Sequence, residues 1–373
     1  MRIDISVIVP IYKGQKHIKR LMEMILSWNS LSDRYSTEII LVNDYPDIPL
    51  DISYLQSEGH IQRKIIENLK NIGIHGSRIE GIKHAEGKYI LFLDQDDTLM
   101  NSYLESQMNC LRDNDAVICG GLWRNGEKIY SETNPMKEEY SFEEYLDCGY
   151  PLVSLGQLLI KKSSIPTEWI ENPMIYNGWD DHFLWAVMMA YGVKVAVNEE
   201  ILYIHEEDGN NASFNWKQMS LSGQNFRDVF LSLNLLKLNQ KNKFISLINN
   251  KIRKYDVYAE LSVLMDEANS DMIATLFANQ GVKQIAIYGF GIYGKKLFEL
   301  LQNTDIHILY GIDQRNDTKT AVVPIYGLKD ELENVDAVII TAVFSFEEIK
   351  RNLEKYFMKD LKIISLLDLL KMI

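Results

Sequence analysis

A chain of 373 residues, 46% hydrophobic and 24% charged, is long enough for two domains with a core each and is ordinary for a globular protein. Its formal net charge of −13 weighs against non-specific binding to nucleic acid or to an anionic membrane. No apolar run approaches the ~20 residues of a membrane span, no signal peptide precedes the first strand pattern, and Cys110, Cys119 and Cys148 read as buried thiols of a reducing, cytoplasmic compartment.

Ile3 to Ile11 is β-branched and apolar, a buried first strand with Pro10 near its end and Tyr12 just past it. Ile18, Leu21, Met22, Ile25 and Leu26 then recur at helical spacing, and Glu38 to Val42 is a second strand ending in Asn43–Asp44. Strand, helix and strand joined by short loops make a right-handed βαβ unit, which places both strand ends on one edge. Asp44, beside Pro46, reads as a turn residue or as an acid facing a ligand. Residues 47 to 60 show little periodicity and read as a variable loop with a short helix. Arg63 to Glu67 is a third short strand, and Asn68 to Ala85 carries Gly73, Gly76 and Gly81 around Ser77–Arg78.

The stretch GKYILFLDQDDTL, Gly87 to Leu99, organises what surrounds it. Tyr89 to Leu93 is an unbroken apolar run, as in a strand buried on both faces, and it ends in Asp94, Asp96 and Asp97. Like charges this close call for a counter-charge. Hard oxygen ligands at a strand's carboxyl end suit Mg2+ or Mn2+ carrying a phosphorylated substrate, in the place where open α/β sheets bind ligands. The plain alternative is a solvated acidic turn that caps the next helix.

Asn101 to Leu111 is a helix and Ala116 to Gly120 a strand; Trp123 to Glu139 is polar, turn-rich and uninformative. Ser141 opens a helix through a capping box, and Leu155 to Lys162 is strand-like. Asp180 and Asp181 stand at the start of an apolar helix, whose dipole favours their ionised forms. Val193 to Val197 and Ile201 to Ile204 are strand runs leading to His205, which is either a metal ligand or a surface residue of the acidic loop that follows. The polar stretch Gly209 to Ser213 fits a loop that orders when a ligand binds.

The segments ISVIVPIYKG, EIILVNDYPD, NIGIHGSRIEGIKHAEGKYILFLDQDD and NGWDDHFLW, in this order over about the first 215 residues, resemble the family-2 glycosyltransferases of the GT-A fold. The resemblance implies inverting transfer of a sugar from a nucleotide-sugar, most often a UDP-sugar. By the same resemblance Tyr12 and Asp44 lie at the nucleobase, Arg78 helps to hold the diphosphate, Pro10 and Asp94 belong to the same donor site, and Asp96, with Asp94, Asp97 and His205, binds Mn2+ or Mg2+, His205 reaching either the metal or the diphosphate. Asp181 becomes the base that takes the acceptor hydroxyl's proton, Asp180 its neighbour, and Leu155–Lys162 an edge strand beneath the acceptor. Four departures stand out: Asn43 replaces a frequent aspartate, Tyr45–Pro46 a small Gly-Ser pair, Ile79 an asparagine and Asp180 a glutamate.

Phe214 to Gln280 lacks proline and has only Gly223, and reads as several helices. The pattern changes at Val282: KQIAIY is a strand, GFGIYG supplies Gly289, Gly291 and Gly294, a helix follows, and IHILYGID ends in Asp313. That is dinucleotide-binding spacing. Asp336 to Thr341 and Lys362 to Leu366 add strands around a helix from Phe346 to Tyr356. A nucleotide ligand for this domain and a structural or docking role are both open, since no Tyr-x-x-x-Lys or placed Cys and His accompanies the glycines.

The expectation is an α/β protein: a GT-A nucleotide-diphospho-sugar transferase domain (1–213), a helical connector (214–280) and a small Rossmann-like domain (281–373). Its partners are a nucleotide-sugar and a saccharide or lipid-linked saccharide of cell-surface polysaccharide assembly, with no nucleic acid. Peripheral contact with the inner face of the membrane through the acceptor, and a homodimer, are compatible with this. The rivals are a sugar-nucleotide oxidoreductase or epimerase working through GFGIYG, and a non-catalytic binding protein on the same fold. A sugar-nucleotide pyrophosphorylase would need a glycine-rich loop after the first strand, where VPIYKGQKHI has only Gly14.

Overall fold

The computed structural model describes residues 3–29, 34–50, 62–131, 134–206, 215–313, 323–355 and 361–373. The chain divides into two compact units, Met1–Ile252 and Arg253–Ile373. Gly209 to Ser213 and the helix expected within 47–60 fall largely or wholly outside the described residues.

The first unit begins β1 (Ile5–Ile11), α1 (Gln15–Asn29), β2 (Thr37–Asn43), β3 (Gln62–Glu67), α2 (Gly73–His84), β4 (Tyr89–Phe92) and β5 (Thr98–Leu99). It continues with α3 (Tyr103–Leu111), β6 (Ala116–Trp123), α4 (Phe142–Cys148), β7 (Leu158–Lys161), α5 (Thr167–Glu171), α6 (Asp180–Ala190) and β8 (Val195–His205), then α7 (Trp216–Ser232). One sheet holds all eight strands in the order β3-β2-β1-β4-β7-β6-β8-β5. β3, β2, β1 and β4 are parallel, and β7 runs antiparallel to both of its neighbours.

The order reverses between β1 and β4. The chain steps outward from β1 through β2 to β3, then returns to the other side of β1. Strands at such a switch point diverge beyond their carboxyl ends and leave a crevice there. Ile5, Val7, Val9 and Ile11 of β1 share a core with Ile18, Leu21, Met22 and Ile25 of α1. Ile8, pointing the other way, packs so closely on α2 that a Cβ at Gly81 would lie 2.3 Å from its Cγ2.

At the opposite end of β1, Glu38 is fully buried and accepts from the Ser6 hydroxyl at 2.6 Å, with Lys64 Nζ at 2.8 Å. Burial works to raise its pKa, but Lys64, Ser6 and the Glu86 N–H outweigh this and hold it below the usual range. Gly87 is the tight point of this corner, where an added Cβ would stand 2.5 Å from the Ser6 nitrogen. Gly87→Ala is therefore expected to destabilise the protein by roughly 1–3 kcal/mol in urea unfolding, the usual cost of overpacking against backbone.

Two expectations need correction. Leu155–Lys162 is not an edge: Leu158, Leu159 and Ile160 are fully buried and β7 lies between β4 and β6, with Leu155–Gln157 a short 3-10 turn before it. Of the three cysteines only Cys119 is buried; Cys110 is half-buried and Cys148 exposed.

The second unit is built on β9 (Gln284–Tyr288), β10 (His307–Ile312), β11 (Ile325–Tyr326), β12 (Ala337–Ile340) and β13 (Lys362–Ser365). These pair all-parallel in the order β11-β10-β9-β12-β13, a doubly wound arrangement. The residues 214–280 are shared between the units rather than forming a body of their own. α8 (Leu238–Glu267) carries the division, and Leu261 and Met265 from its later half join Ile273 and Phe277 of α9 (Ser270–Asn279) in the core beneath β9. Among the described residues no helix is long and apolar enough to cross a membrane.

Candidate active site

A cleft of about 970 Å³ opens at the switch point and is lined from both sides of it. β1 and its loop supply Pro10 and Tyr12, β2 supplies Asp44, α2 supplies Arg78, and the turn after β4 supplies Asp94 and Asp96. Asp180 and Asp181, from the start of α6, and His205, at the end of β8, complete it. All these lie in one cavity although they span nearly 200 positions of sequence.

Arg78 is the electrostatic centre. It is buried, and donates through Nη1 to Asp180 Oδ2 at 2.5 Å and through Nη2 to Asp94 Oδ1 at 2.6 Å. Burial alone would lower its pKa; Asp180, then Asp94 and Asp181, more than offset this and hold the guanidinium charged. Both arms of the fork are thus engaged by carboxylates, and Arg78 holds the two acids together on the cleft wall. The second oxygen of Asp94 accepts from Ser154 Oγ at 3.0 Å.

Asp181 has a different environment. The His182 N–H donates to its Oδ1 at 2.7 Å, and among the described residues no cationic fork closes on it. Burial first, and the charge of Asp180 next, push its carboxyl up to about 7, against the pull of Arg78. Neighbouring carboxylates of one helix turn are thus separated in character: Asp180 is paired by Arg78, and Asp181 is poised to exchange a proton near neutrality.

Asp97 is not on the cleft wall. It is fully buried, accepting the Tyr203 hydroxyl at 2.5 Å and the Glu206 N–H at 3.2 Å, with His205 Nδ1 at 3.2 Å. Tyr203 has one hydroxyl hydrogen and gives it to Asp97. The 2.9 Å contact between that hydroxyl and His205 Nδ1 therefore requires the proton on Nδ1. In the neutral ring the other nitrogen, Nε2, is then the one with a lone pair. A carboxylate holding Nδ1–H in this way is the usual support of a histidine that ligates a metal through Nε2.

Among the described residues no three His, Cys, Asp or Glu side chains form a ready-made metal cage. A Mg2+ or Mn2+ ion that arrives with a diphosphate needs only one or two protein ligands, with phosphate oxygens and water for the rest. Asp96 and His205, both on the cleft wall, fit that requirement in donor type.

Asp44 does two things at once. It accepts from the N–H groups of Ile72 (2.8 Å) and Gly73 (2.9 Å) and from Asn68 Nδ2 (2.9 Å), which fixes the start of α2 while its carboxyl lines the cleft. Tyr12 is half-exposed and packs edge-on against Tyr45 at 5.5 Å, so the bulkier loop after β2 backs the Tyr12 ring with a second one.

Sequence reasoning missed Ser154, Gln95, Trp123 and Asn177, which also line the cleft. Each is a polar or aromatic residue in a loop or at a strand end, where no periodicity marks it. Gly289, Gly291, Gly294 and Asp313 belong to the second unit. Gly289 has φ 88°, a Cβ on Gly294 would sit 2.5 Å from the Gly289 carbonyl, and Asp313 Oδ2 accepts the Phe290 N–H at 2.9 Å.

A family model described as Glycosyl transferase family 2 matches residues 6–162. Poly(ribitol-phosphate) beta-glucosyltransferase of Bacillus spizizenii is 26% identical over 219 residues, which are 56% of this chain and 33% of that protein. Minor teichoic acid biosynthesis protein GgaB of Bacillus subtilis is 33% identical over 107 residues, 28% of this chain and 12% of that protein. The chain thus spans a third or less of the length of these curated relatives. Among solved structures, S. aureus TarS in complex with UDP-GlcNAc aligns with a TM-score of 0.52 at 15% identity, covering 70% of this chain and 81% of that one, a likeness of fold. The strand order, the cleft at its switch point and the matched stretch agree: the first unit has the GT-A fold, and its residues 6–162 are those of a family-2 glycosyltransferase.

Proposed function

We propose that the protein transfers a sugar, with inversion, from a nucleotide-sugar to a hydroxyl of a cell-wall saccharide or lipid-linked saccharide, with a UDP-sugar the first donor to try. The observation that carries this is the meeting in one cleft of the acidic turn after β4 and Asp181, a carboxyl pushed up to about 7. In support, the relatives named above glucosylate poly(ribitol phosphate) or take part in minor teichoic acid biosynthesis, and the TarS structure holds UDP-GlcNAc.

In this reading Pro10, Tyr12 and Asp44 receive the nucleobase. Asp96 and His205 would hold Mn2+ or Mg2+, whose contribution when bound is to offset the charge that grows on the leaving nucleoside diphosphate. Asp94, on the cleft wall, is fixed by Arg78 and Ser154, and Asp97, behind the wall, fixes His205. Asp181 removes the proton of the attacking hydroxyl as the bond to the sugar forms, through a transition state with oxocarbenium character.

The test is a panel of UDP-, GDP- and dTDP-sugars with Mn2+, followed by donor consumption, together with thermal unfolding of Asp96→Asn. A saturating nucleotide–metal pair should raise the wild-type unfolding temperature by roughly 5–10 °C. Asp96→Asn should lose that rise while unfolding at the wild-type temperature without ligand. A full rise in the variant would remove Asp96 from the metal.

A further inference from the structure

Gln95 stands between the two acids of the turn, yet its side chain reaches across to another loop. Its carboxamide accepts the Tyr12 N–H at 3.1 Å and donates to the Tyr12 carbonyl at 3.2 Å, closing a reciprocal pair across 83 positions of sequence. A primary amide can satisfy a peptide's donor and acceptor together. Gly14, two residues on, leaves room for this and no more: a Cβ there would lie 1.8 Å from Gln95 Oε1. Between them Lys13 takes φ 52°, a left-handed conformation that a side-chain-bearing residue keeps only where its surroundings hold it.

The grip is returned from the other side. Arg20, on the helix that follows this loop, donates to the carbonyls of Asp96 and Asp97 and to the Thr98 hydroxyl. Each segment therefore holds the other's main chain or turn with a side chain of its own. One carries the Tyr12 ring, edge-on to Tyr45 with Lys13 Nζ within 5.4 Å of both ring centres; the other carries Asp94 and Asp96.

We propose that Gln95 is a positioning residue that couples the Tyr12 loop to the acidic turn, so that fixing the turn also fixes the tyrosine platform. The assignment of the turn to a metal and of the loop to a nucleobase rests on the reading in the preceding section; the clamp itself does not.

Amide exchange on the full chain separates the two, with Mn2+ alone as the probe. Without metal, the Tyr12 amide should exchange about tenfold faster in Gln95→Ala than in wild type. Gly14→Ala, which displaces the amide from the other side, should do the same, and unchanged exchange in both would overturn the clamp. Gln95→Met keeps roughly the volume but neither hydrogen bond. It should behave like Gln95→Ala, whereas a merely space-filling role would leave it like wild type.

Adding Mn2+ to wild type should slow exchange in residues 94–98 and at Tyr12 together, and in Gln95→Ala in residues 94–98 alone. Slowing of the turn without Tyr12 in wild type overturns the coupling and leaves the metal reading standing. If Mn2+ slows neither segment, the metal reading falls, and the clamp stands or falls on the metal-free comparison.

Discussion

Asp181→Asn should lower the transfer rate by about 10²–10⁴-fold, the usual contribution of a general base, with UDP affinity in Mn2+ nearly unchanged. The substitution removes a proton acceptor without touching Arg78, Asp94 or Asp96. In wild type the rate should rise with pH through about 7, because only the ionised carboxylate accepts a proton and burial beside Asp180 has moved its titration there. Stability runs the other way. A carboxyl whose folded-state pKa lies above the ordinary value near 3.8 favours the folded state while it is protonated, so that contribution fades as pH climbs from about 4 to 7. Asp181→Asn should therefore unfold at a higher denaturant concentration than wild type above pH 7, by roughly 2–4 kcal/mol, and the gap should close towards pH 4. Rate profiles and urea titrations at three pH values check both halves. A variant that loses activity and stability together would show that Asp181 is structural.

Asp180 would not serve as the milder control that its place beside Asp181 suggests. Its carboxylate is one of two that Arg78 holds, and its main-chain carbonyl accepts the Trp169 indole at 2.7 Å. Asp180→Asn should weaken the ion pair and cost stability as well as rate.

What could be read from residues alone was whatever is periodic or locally dense. β1, α1, β2 and β4 were legible because apolar residues recur at the spacing of a strand or helix, and Asp94, Asp96 and Asp97 because three acids end a buried strand. Roles within that cluster were not legible. Asp96 faces the cleft and Asp97 faces Tyr203 and His205, more than 100 positions away, and adjacent residues of a turn give no hint of which way each points. The interior place of β7 was hidden for a similar reason: LLI is equally suitable for either neighbourhood, and only pairing with β4 and β6 decides. Arg78 was found as a charge in the right place, but its partners, Asp94 and Asp180, come from two other elements.

Arg78→Met should be the most destabilising single change in the cleft. The methionine roughly fills the space but leaves Asp94 and Asp180 with no cation between them, the latter almost fully buried. Breaking a buried pair from one side typically costs about 3–5 kcal/mol, which corresponds to a fall of roughly 6–20 °C in unfolding temperature for a unit of this size. Arg78→Lys should recover little, since one ammonium cannot present the two-armed geometry that reaches both acids. The loss should shrink in Arg78→Met/Asp180→Asn, where one of the stranded carboxylates is gone. That double variant should be more stable than the sum of its parts predicts, by about 0.5–3 kcal/mol, as for residues sharing one ion-pair network. Strict additivity, or an Arg78→Met protein that unfolds like wild type, would mean that Arg78 is held by its packing on Phe92, 6.0 Å from the guanidinium carbon, and that the two acids stand without it.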